Sequence, residues 1–360
     1  MPETLEINLP IHHIILEDIS SIISNQKIKW DKLQSKTVLI TGASGLIGSY
    51  LVYSLLGLNE VKNTNIKILA LVRNRSKAEK QFGKLLERDD IILIDKDVTE
   101  YLDYSEEIHY IIHTASTTSP KAMMEDPVGT ISANMGGTQN LLELAEKHDS
   151  VFMFLSSREI YGNTLPDISR ISETEYGTLD PTLVRSCYPE SKRLSETMCA
   201  AYHHQYNIET KVARLAHTYG PDWNLGSGRV WGDFLQNEVR VENIVLKSDG
   251  LSELSFIYVA DAVSALYFIL LNAEEMVYNV SDSKGVVQVR ELAHLISTLH
   301  PEKGIKTVFE ISDGSCYSSS KMAILDTTKI EGLGWYPSIS LREGLLRSAE
   351  VFSDILNTED

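Results

Sequence analysis

The stretch Val38-Leu-Ile-Thr-Gly-Ala-Ser-Gly-Leu-Ile-Gly48 constrains this chain more than any other. The apolar run Thr37 to Ile40 predicts a short strand buried on both faces, and the apolar periodic segment Leu46 to Leu56 predicts a helix. Three glycines join them. Gly42 permits a tight turn out of the strand, Gly45 lets the backbone approach a pyrophosphate, and Gly48 lets the helix pack close to the sheet. The start of such a helix offers free N–H groups and a positive dipole end to phosphate. Gly42, Ser44, Gly45, Leu46, Ile47 and Gly48 are therefore the first candidate cofactor-binding residues, and the cofactor they predict is a dinucleotide.

The rest of the chain continues the pattern. Ile66 to Val72, Ile91 to Ile94, Tyr110 to His113, Val151 to Ser156 and Thr210 to Ala216 read as further strands with helical segments between them. Such alternation predicts an α/β fold, a doubly wound parallel sheet of the Rossmann type. Residues 1–35 precede the first strand. Ile11, Ile14, Ile15, Ile19, Ile22 and Ile23 recur there at helical spacing, with Glu17 and Asp18 between them, which predicts an amphipathic helix laid on the main domain. Residues 36–220 form the expected dinucleotide-binding domain. After about Gly220 the loops lengthen, as in Pro221 to Gly228 and Lys247 to Glu253. Residues 221–360 are expected to form mainly a smaller substrate-binding lobe, interleaved with the first, over the carboxyl ends of the strands.

Charge excludes one class of partner. The net charge of −17 over 360 residues disfavours nucleic acid, which needs a basic face. No apolar run is long enough to span a bilayer, and Met1 to Pro10 lacks the basic start and apolar core of a signal peptide. Cys187, Cys199 and Cys316 are scattered and fit neither a disulfide framework nor a metal site. A cytoplasmic protein without a metal is the expectation.

The end of the second strand bears on cofactor choice. An acid there bonds the adenosine 2′-hydroxyl, whereas basic residues accommodate a 2′-phosphate. Ala70-Leu-Val-Arg-Asn-Arg-Ser-Lys77 carries no acid. Arg73 and Arg75 favour NADP over NAD through charge-assisted hydrogen bonds. Asp97 and Val98, after the third strand, are placed for the adenine. Thr114, Ala115 and Ser116, after the fourth, are expected to pass beneath the cofactor.

Tyr188-Pro-Glu-Ser-Lys192 carries the chemical signal. Residues four apart on a helix share a face, and Pro189 places Tyr188 at the helix start. A tyrosine of ordinary pKa about 10 becomes a base when nearby positive charge lowers it. Lys192 and an oxidised nicotinamide are the expected sources of that charge. Ser157 and Glu159, at the end of the fifth strand, are the candidates for hydrogen bonding to the reacting oxygen and for a second acid/base role.

On these residues the chain resembles the extended short-chain dehydrogenase/reductases that act on nucleotide sugars. The resemblance runs from about Lys36 to the end. It includes Arg214-Leu-Ala-His-Thr-Tyr-Gly-Pro221, Tyr258-Val-Ala-Asp261, Tyr278-Asn-Val280 and Leu333-Gly-Trp-Tyr-Pro337. Arg185 to Arg193, Glu196-Thr-Met-Cys199 and Gly228-Arg-Val230 are most similar to the UDP-glucuronate decarboxylases. The resemblance implies C4 oxidation, loss of the C6 carboxylate and hydride return, with Tyr188 the base at O4 and Lys192 on the nicotinamide ribose. It also implies that Ser157 assists at O4 and that Glu159 manages the sugar during decarboxylation. NAD is the family's cofactor and a homodimer its assembly. Arg158, His217 and Arg229 are candidate substrate contacts. Four features depart from the family pattern: Leu254 replaces a diphosphate-gripping arginine, His217 replaces an asparagine and is a candidate contact to the same group, Arg158 follows Ser157, and the basic residues after the second strand differ from the NAD-type decarboxylases. Arg158 stands where 4,6-dehydratases carry the first of two acids, and it is suited to pairing with a sugar carboxylate. A 4-epimerase or 4,6-dehydratase, an NADPH-dependent ketoreductase and a non-catalytic dinucleotide-binding protein are the alternatives.

Overall fold

The computed structural model describes residues 6–164, 168–221, 228–310 and 324–359. Most of the loop Pro221 to Gly228, and Cys316, lie outside the described residues. The strands, in order, are β1 (Thr37–Thr41), β2 (Lys67–Val72), β3 (Ile91–Asp95), β4 (Tyr110–His113), β5 (Val151–Ser157), β6 (Arg170–Ile171), β7 (Thr210–Leu215), β8 (His217–Tyr219), β9 (Ile244–Leu246), β10 (Glu253–Tyr258), β11 (Val277–Val280), β12 (Val286–Gln288), β13 (Thr307–Phe309) and β14 (Ile324–Leu325). Seven of them form one sheet in the order β11-β7-β5-β4-β1-β2-β3. Every pair in it is parallel. The order reverses between β1 and β4, so the glycine loop that leaves β1 opens at the point where such sheets bind ligands.

Both faces of the sheet's centre are covered, which is why β1, β2 and β4 are mostly apolar rather than alternating. All five residues of β1 are buried. Val38 and Ile40 join one core and Leu39 the other. On the first face lie α1 (His13–Ile23), α2 (Leu46–Lys62) and, later in the chain, a helix over Val259–Asn272. Between them in sequence come α3 (Arg75–Phe82), α4 (Pro120–Glu125), α5 (Pro127–His148), α6 (Cys187–Tyr206) and α7 (Val230–Val239), so the Val259–Asn272 helix is α8. The chain closes with α9 (Val289–Ser297), α10 (Thr328–Gly332) and α11 (Leu341–Glu359). On the second face α5 and α6 bury Leu141, Leu142 and Cys199 against Phe152 and Phe154 of β5.

The N-terminal helix is amphipathic as its isoleucine spacing predicts, with Ile15, Ile19, Ile22 and Ile23 buried. Asp18 departs from that reading. It is buried, and both Tyr50 and Tyr258 donate to its Oδ2, at 2.9 and 2.6 Å, while Arg347 of α11 lies 3.2 Å from Oδ1. A carboxylate can be buried there because hydroxyl and guanidinium donors replace the lost water.

The C-terminal part builds a three-stranded sheet, β12-β10-β8, with β8 parallel and β12 antiparallel to β10. Yet β11 returns to the edge of the main sheet beside β7, so the two parts interleave. Several family-like motifs are architectural. Asp261 accepts from the backbone N–H of Ser338 and Ile339 and from the Ser338 hydroxyl, all at 2.9 Å. It thereby pins the segment that follows buried Trp335. Asn279 donates to Ile171 and Asp326 carbonyls and accepts from Tyr161.

Candidate active site

The carboxyl ends of β1, β2, β4, β5 and β7 open into a cavity of about 720 Å³. This is the size range of a ligand-binding cleft. The glycine loop forms its floor. Gly42 has φ +63, and a Cβ there would stand 2.9 Å from Ala115 Cα. A Cβ on Gly48 would stand 2.3 Å from the Gly42 carbonyl oxygen. Gly45 is the N-cap of α2 and caps nothing with a side chain, so the first N–H groups of α2 are left for an external acceptor. This cradle fits a dinucleotide pyrophosphate. Thr41 holds its rim together: the Ala115 N–H donates to Thr41 Oγ1 (3.2 Å) and Thr114 Oγ1 donates to the Thr41 carbonyl (2.6 Å).

Of the residues predicted from sequence, Gly42, Ser44, Gly45, Leu46, Ile47, Gly48, Arg73, Asp97, Val98, Thr114, Ala115 and Ser116 all line this cavity. Ser157, Glu159, Tyr188, Lys192, His217 and Arg229 line it too, as does Leu254. Two expectations are corrected. Arg75 faces away, because four residues on along α3 Glu79 accepts from its Nε at 2.7 Å. Arg158 is buried behind the cavity wall, with Nη1 2.9 Å from His217 Nε2, and does not open to the ligand space.

At the adenosine end Arg73 lies 4.0 Å from Asp97 Oδ2, while Asp97 Oδ1 is occupied by the Thr99 N–H and hydroxyl. Lys77 and Lys96 also line this end. Sequence reasoning passed over both. Asn74 caps α3 by accepting from the Lys77 N–H, which places Lys77 in the first turn of that helix.

At the opposite end stands Tyr188, the second residue of α6. A 3₁₀ turn over Val184–Ser186 leads into the helix, so Pro189 falls where no helical N–H is needed. Lys192, one turn on, is buried and donates to the Leu155 carbonyl at 2.7 Å. Its ammonium sits 4.5 Å from the centre of the Phe154 ring and 5.9 Å from that of Tyr188. The expected lowering of Tyr188 by Lys192 is not what the chain alone produces. Burial pushes the Tyr188 phenol up to about 12, and Glu159 adds to the rise; Ser157, Arg229 and Arg185 oppose it. Burial likewise lowers Lys192 to about 7, which weakens it as a fixed cation. A second positive charge beside the ring is needed to make the phenol a base.

Glu159 accepts two hydrogen bonds from Arg185 Nη2, at 2.8 and 3.0 Å. Arg185 was not singled out for a role from sequence, since an arginine three residues before a tyrosine has no distinctive spacing. Asn134 was missed as well. It is buried mid-helix in α5, where it accepts from Ser116 and donates to Ser191, both at 2.8 Å. Ser191 donates in turn to the Tyr188 carbonyl at 3.0 Å. This chain of bonds ties the segment that follows β4 to the first turn of α6. Arg229 donates to Thr118 across the mouth of the cavity at 2.6 Å. Among the described residues, no group of three or more His, Cys, Asp or Glu side chains is placed to hold a metal. No described helix is long and apolar enough to cross a membrane.

A parallel sheet with a glycine cradle at its reversal point, and a Ser-Tyr-Lys set at the far end of the same cavity, defines a dinucleotide-dependent enzyme. The model of the NAD dependent epimerase/dehydratase family matches residues 38–281, and the chain belongs to that family. It is 33% identical over 317 residues to UDP-glucuronic acid decarboxylase 6 of Arabidopsis thaliana, covering 88% of both chains. It is 31% identical over 319 residues to UDP-glucuronic acid decarboxylase 1 of Xenopus tropicalis, covering 88% of this chain and 72% of that one. Among solved structures, an epimerase of Methanothermobacter thermautotrophicus superposes with a TM-score of 0.77 at 21% identity, over 93% of this chain and 97% of that one. The UDP-glucose 4-epimerase of Thermotoga maritima gives 0.74 at 22% identity, over 89% and 99%. These two likenesses show the fold.

Proposed function

We propose that this protein oxidises a nucleotide sugar at C4, releases the C6 carboxylate as carbon dioxide and returns the hydride, with UDP-glucuronate as substrate. The meeting of Ser157, Glu159, Tyr188 and Lys192 at one end of the dinucleotide cavity carries this reading. The decarboxylases among the relatives supply the substrate. Bound in the cradle, the dinucleotide supplies a hydride acceptor and, when oxidised, the positive charge that Tyr188 lacks. Tyr188 takes the O4 proton and Ser157, within hydrogen-bonding reach of it, orients the oxygen. A ketone at C4 makes the sugar a β-keto acid, so the C5–C6 bond can break with its electrons delocalised onto the ketone oxygen. Glu159, held by Arg185 at the cavity wall, is the group we assign to the proton returned to C5.

The residues at the adenosine end bear on the choice of NAD or NADP. Arg73, Lys77 and Lys96 line the cavity beside Asp97, and these cations support NADP, although NAD is named for the family. Val128, Ile131 and Leu194 are exposed apolar residues on α5 and α6, which supports a homodimer through that helix pair. Free, buried Cys187 and Cys199 are in keeping with a cytoplasmic site of action.

The test is incubation with UDP-glucuronate and, separately, NAD or NADP, followed by mass analysis and NMR of the sugar. A product lighter by carbon dioxide supports the reading. An unchanged mass with inverted C4 supports the second reading, a 4-epimerase that keeps the acid, which the buried Arg158–His217 pair favours. No change with either cofactor overturns both.

A further inference from the structure

Arg158 presents an electrostatic problem that the fold does not solve. Its guanidinium is buried, with 5% of the residue exposed. Among the described residues its hydrogen-bond partner is a histidine, not an acid. The adjacent carboxylate, Glu159, attracts Arg158 through space, but its hydrogen bonds go to Arg185. A buried cation with only a shared, unbonded counter-ion is costly, and removing it from water is repaid best by an anion with good geometry.

The bond to His217 has a definite sense. A guanidinium only donates, so Nε2 of His217 must accept, and the neutral ring then carries its proton on Nδ1. Burial and the positive charges of Arg158 and Arg229 both keep the ring neutral. His217 lines the cavity, and its ring packs on Phe256 of β10, 5.6 Å between centres. Ser157 pairs in register with Leu215, so Arg158 and His217 both stand just beyond the strand ends at the sugar end of the cavity. Nearby Leu254 offers no charge of its own.

We infer that Arg158 and His217 together recognise the carboxylate of a uronic-acid sugar: Nδ1–H of His217 donates to a carboxylate oxygen, and Arg158 fixes that tautomer and supplies the positive field behind it. This rests on the nucleotide-sugar reading above. His217 touches the ligand; Arg158 is a positioning residue. The arrangement makes the acid a feature the site selects for, independent of whether it is later lost.

The test is calorimetric binding in a Tyr188→Phe background, which stops turnover, with cofactor present. UDP-glucuronate, UDP-glucose and UDP are compared. The expected result is at least tenfold tighter binding of UDP-glucuronate than of UDP-glucose. Adding Arg158→Met should bring that ratio to about one while leaving UDP-glucose affinity in place. A purely structural role would weaken UDP-glucuronate, UDP-glucose and UDP alike and leave the ratio in place. His217→Phe keeps the ring without the donor, should also abolish the preference, and decides the matter if Arg158→Met does not fold. A preference that survives both substitutions overturns the inference while leaving nucleotide-sugar binding intact. Failure of UDP and both sugars to bind overturns the nucleotide-sugar reading itself, and the inference with it.

Discussion

One nitrogen of Arg185, Nη2, donates to both oxygens of Glu159, while Nη1 of the same guanidinium is buried without a partner among the described residues. Glu159 is thus aimed by a side chain that does not itself line the cavity. Replacing Arg185 by Gln removes the aim and leaves the carboxylate in place. The expected outcome is a fall of about ten- to a hundredfold in kcat, with cofactor affinity unchanged. Rapid-quench product analysis beside cofactor titration checks this. Equal losses in both would assign Arg185 to folding instead.

Gly48 faces a harder constraint than the other two loop glycines. A methyl group there would lie 2.3 Å from the Gly42 oxygen and 2.9 Å from Ala43 Cα, and both neighbours are backbone. Gly48→Ala should therefore push α2 off the loop and cost cofactor binding before it costs the fold. Fluorescence titration with dinucleotide should show binding weakened by more than tenfold. The circular-dichroism melting temperature should fall by only a few degrees. The variant binding like wild type would mean that the loop yields.

The cations at the adenosine end permit a direct comparison of cofactors. Arg73 is largely exposed, so its contact with a 2′-phosphate is screened and worth less than a buried one. Arg73→Ala is expected to weaken NADP by about three- to tenfold and NAD hardly at all. Equal losses for the two dinucleotides would place Arg73 on the pyrophosphate or the adenine rather than on a 2′-phosphate.

Six of the seven strands of the main sheet were legible as short, mostly apolar runs between helical segments; β11, at the sheet's edge, was not read as a strand. Predicted and observed strands in the main sheet differ by a residue or so at their ends, as with Thr41 and Ser157. The cofactor floor was legible because a turn and a close helix–loop approach call for glycine, and a Cβ at Gly42 or Gly48 would meet backbone atoms. Side-chain direction was not. Nothing in sequence separates Arg73, which faces the cavity, from Arg75, which turns to Glu79 one helical turn on. Nor does sequence show that Arg158 closes on a histidine 59 positions away. Tyr188 and Lys192 were found by spacing, but their protonation depends on burial, which spacing does not report.

Asp18 couples the N-terminal helix to the C-terminal part of the chain through a titratable contact. Burial raises its carboxyl from 3.8 to about 7, against the lowering by the Tyr258, Arg347 and Tyr50 contacts. A group whose folded pKa is raised contributes stability that is fully present below its unfolded pKa and is lost as the pH rises through the folded one. The window here runs from about pH 4 to about pH 7, and the full effect is on the order of 4 kcal/mol. Asp18→Asn cannot titrate. Other groups titrate alike in both proteins and cancel in the difference. Wild type should therefore lose stability relative to Asp18→Asn as the pH rises from 4.5 to 8 in urea-unfolding measurements. A constant difference across that range would mean that the Tyr50, Tyr258 and Arg347 contacts hold Asp18 ionised throughout.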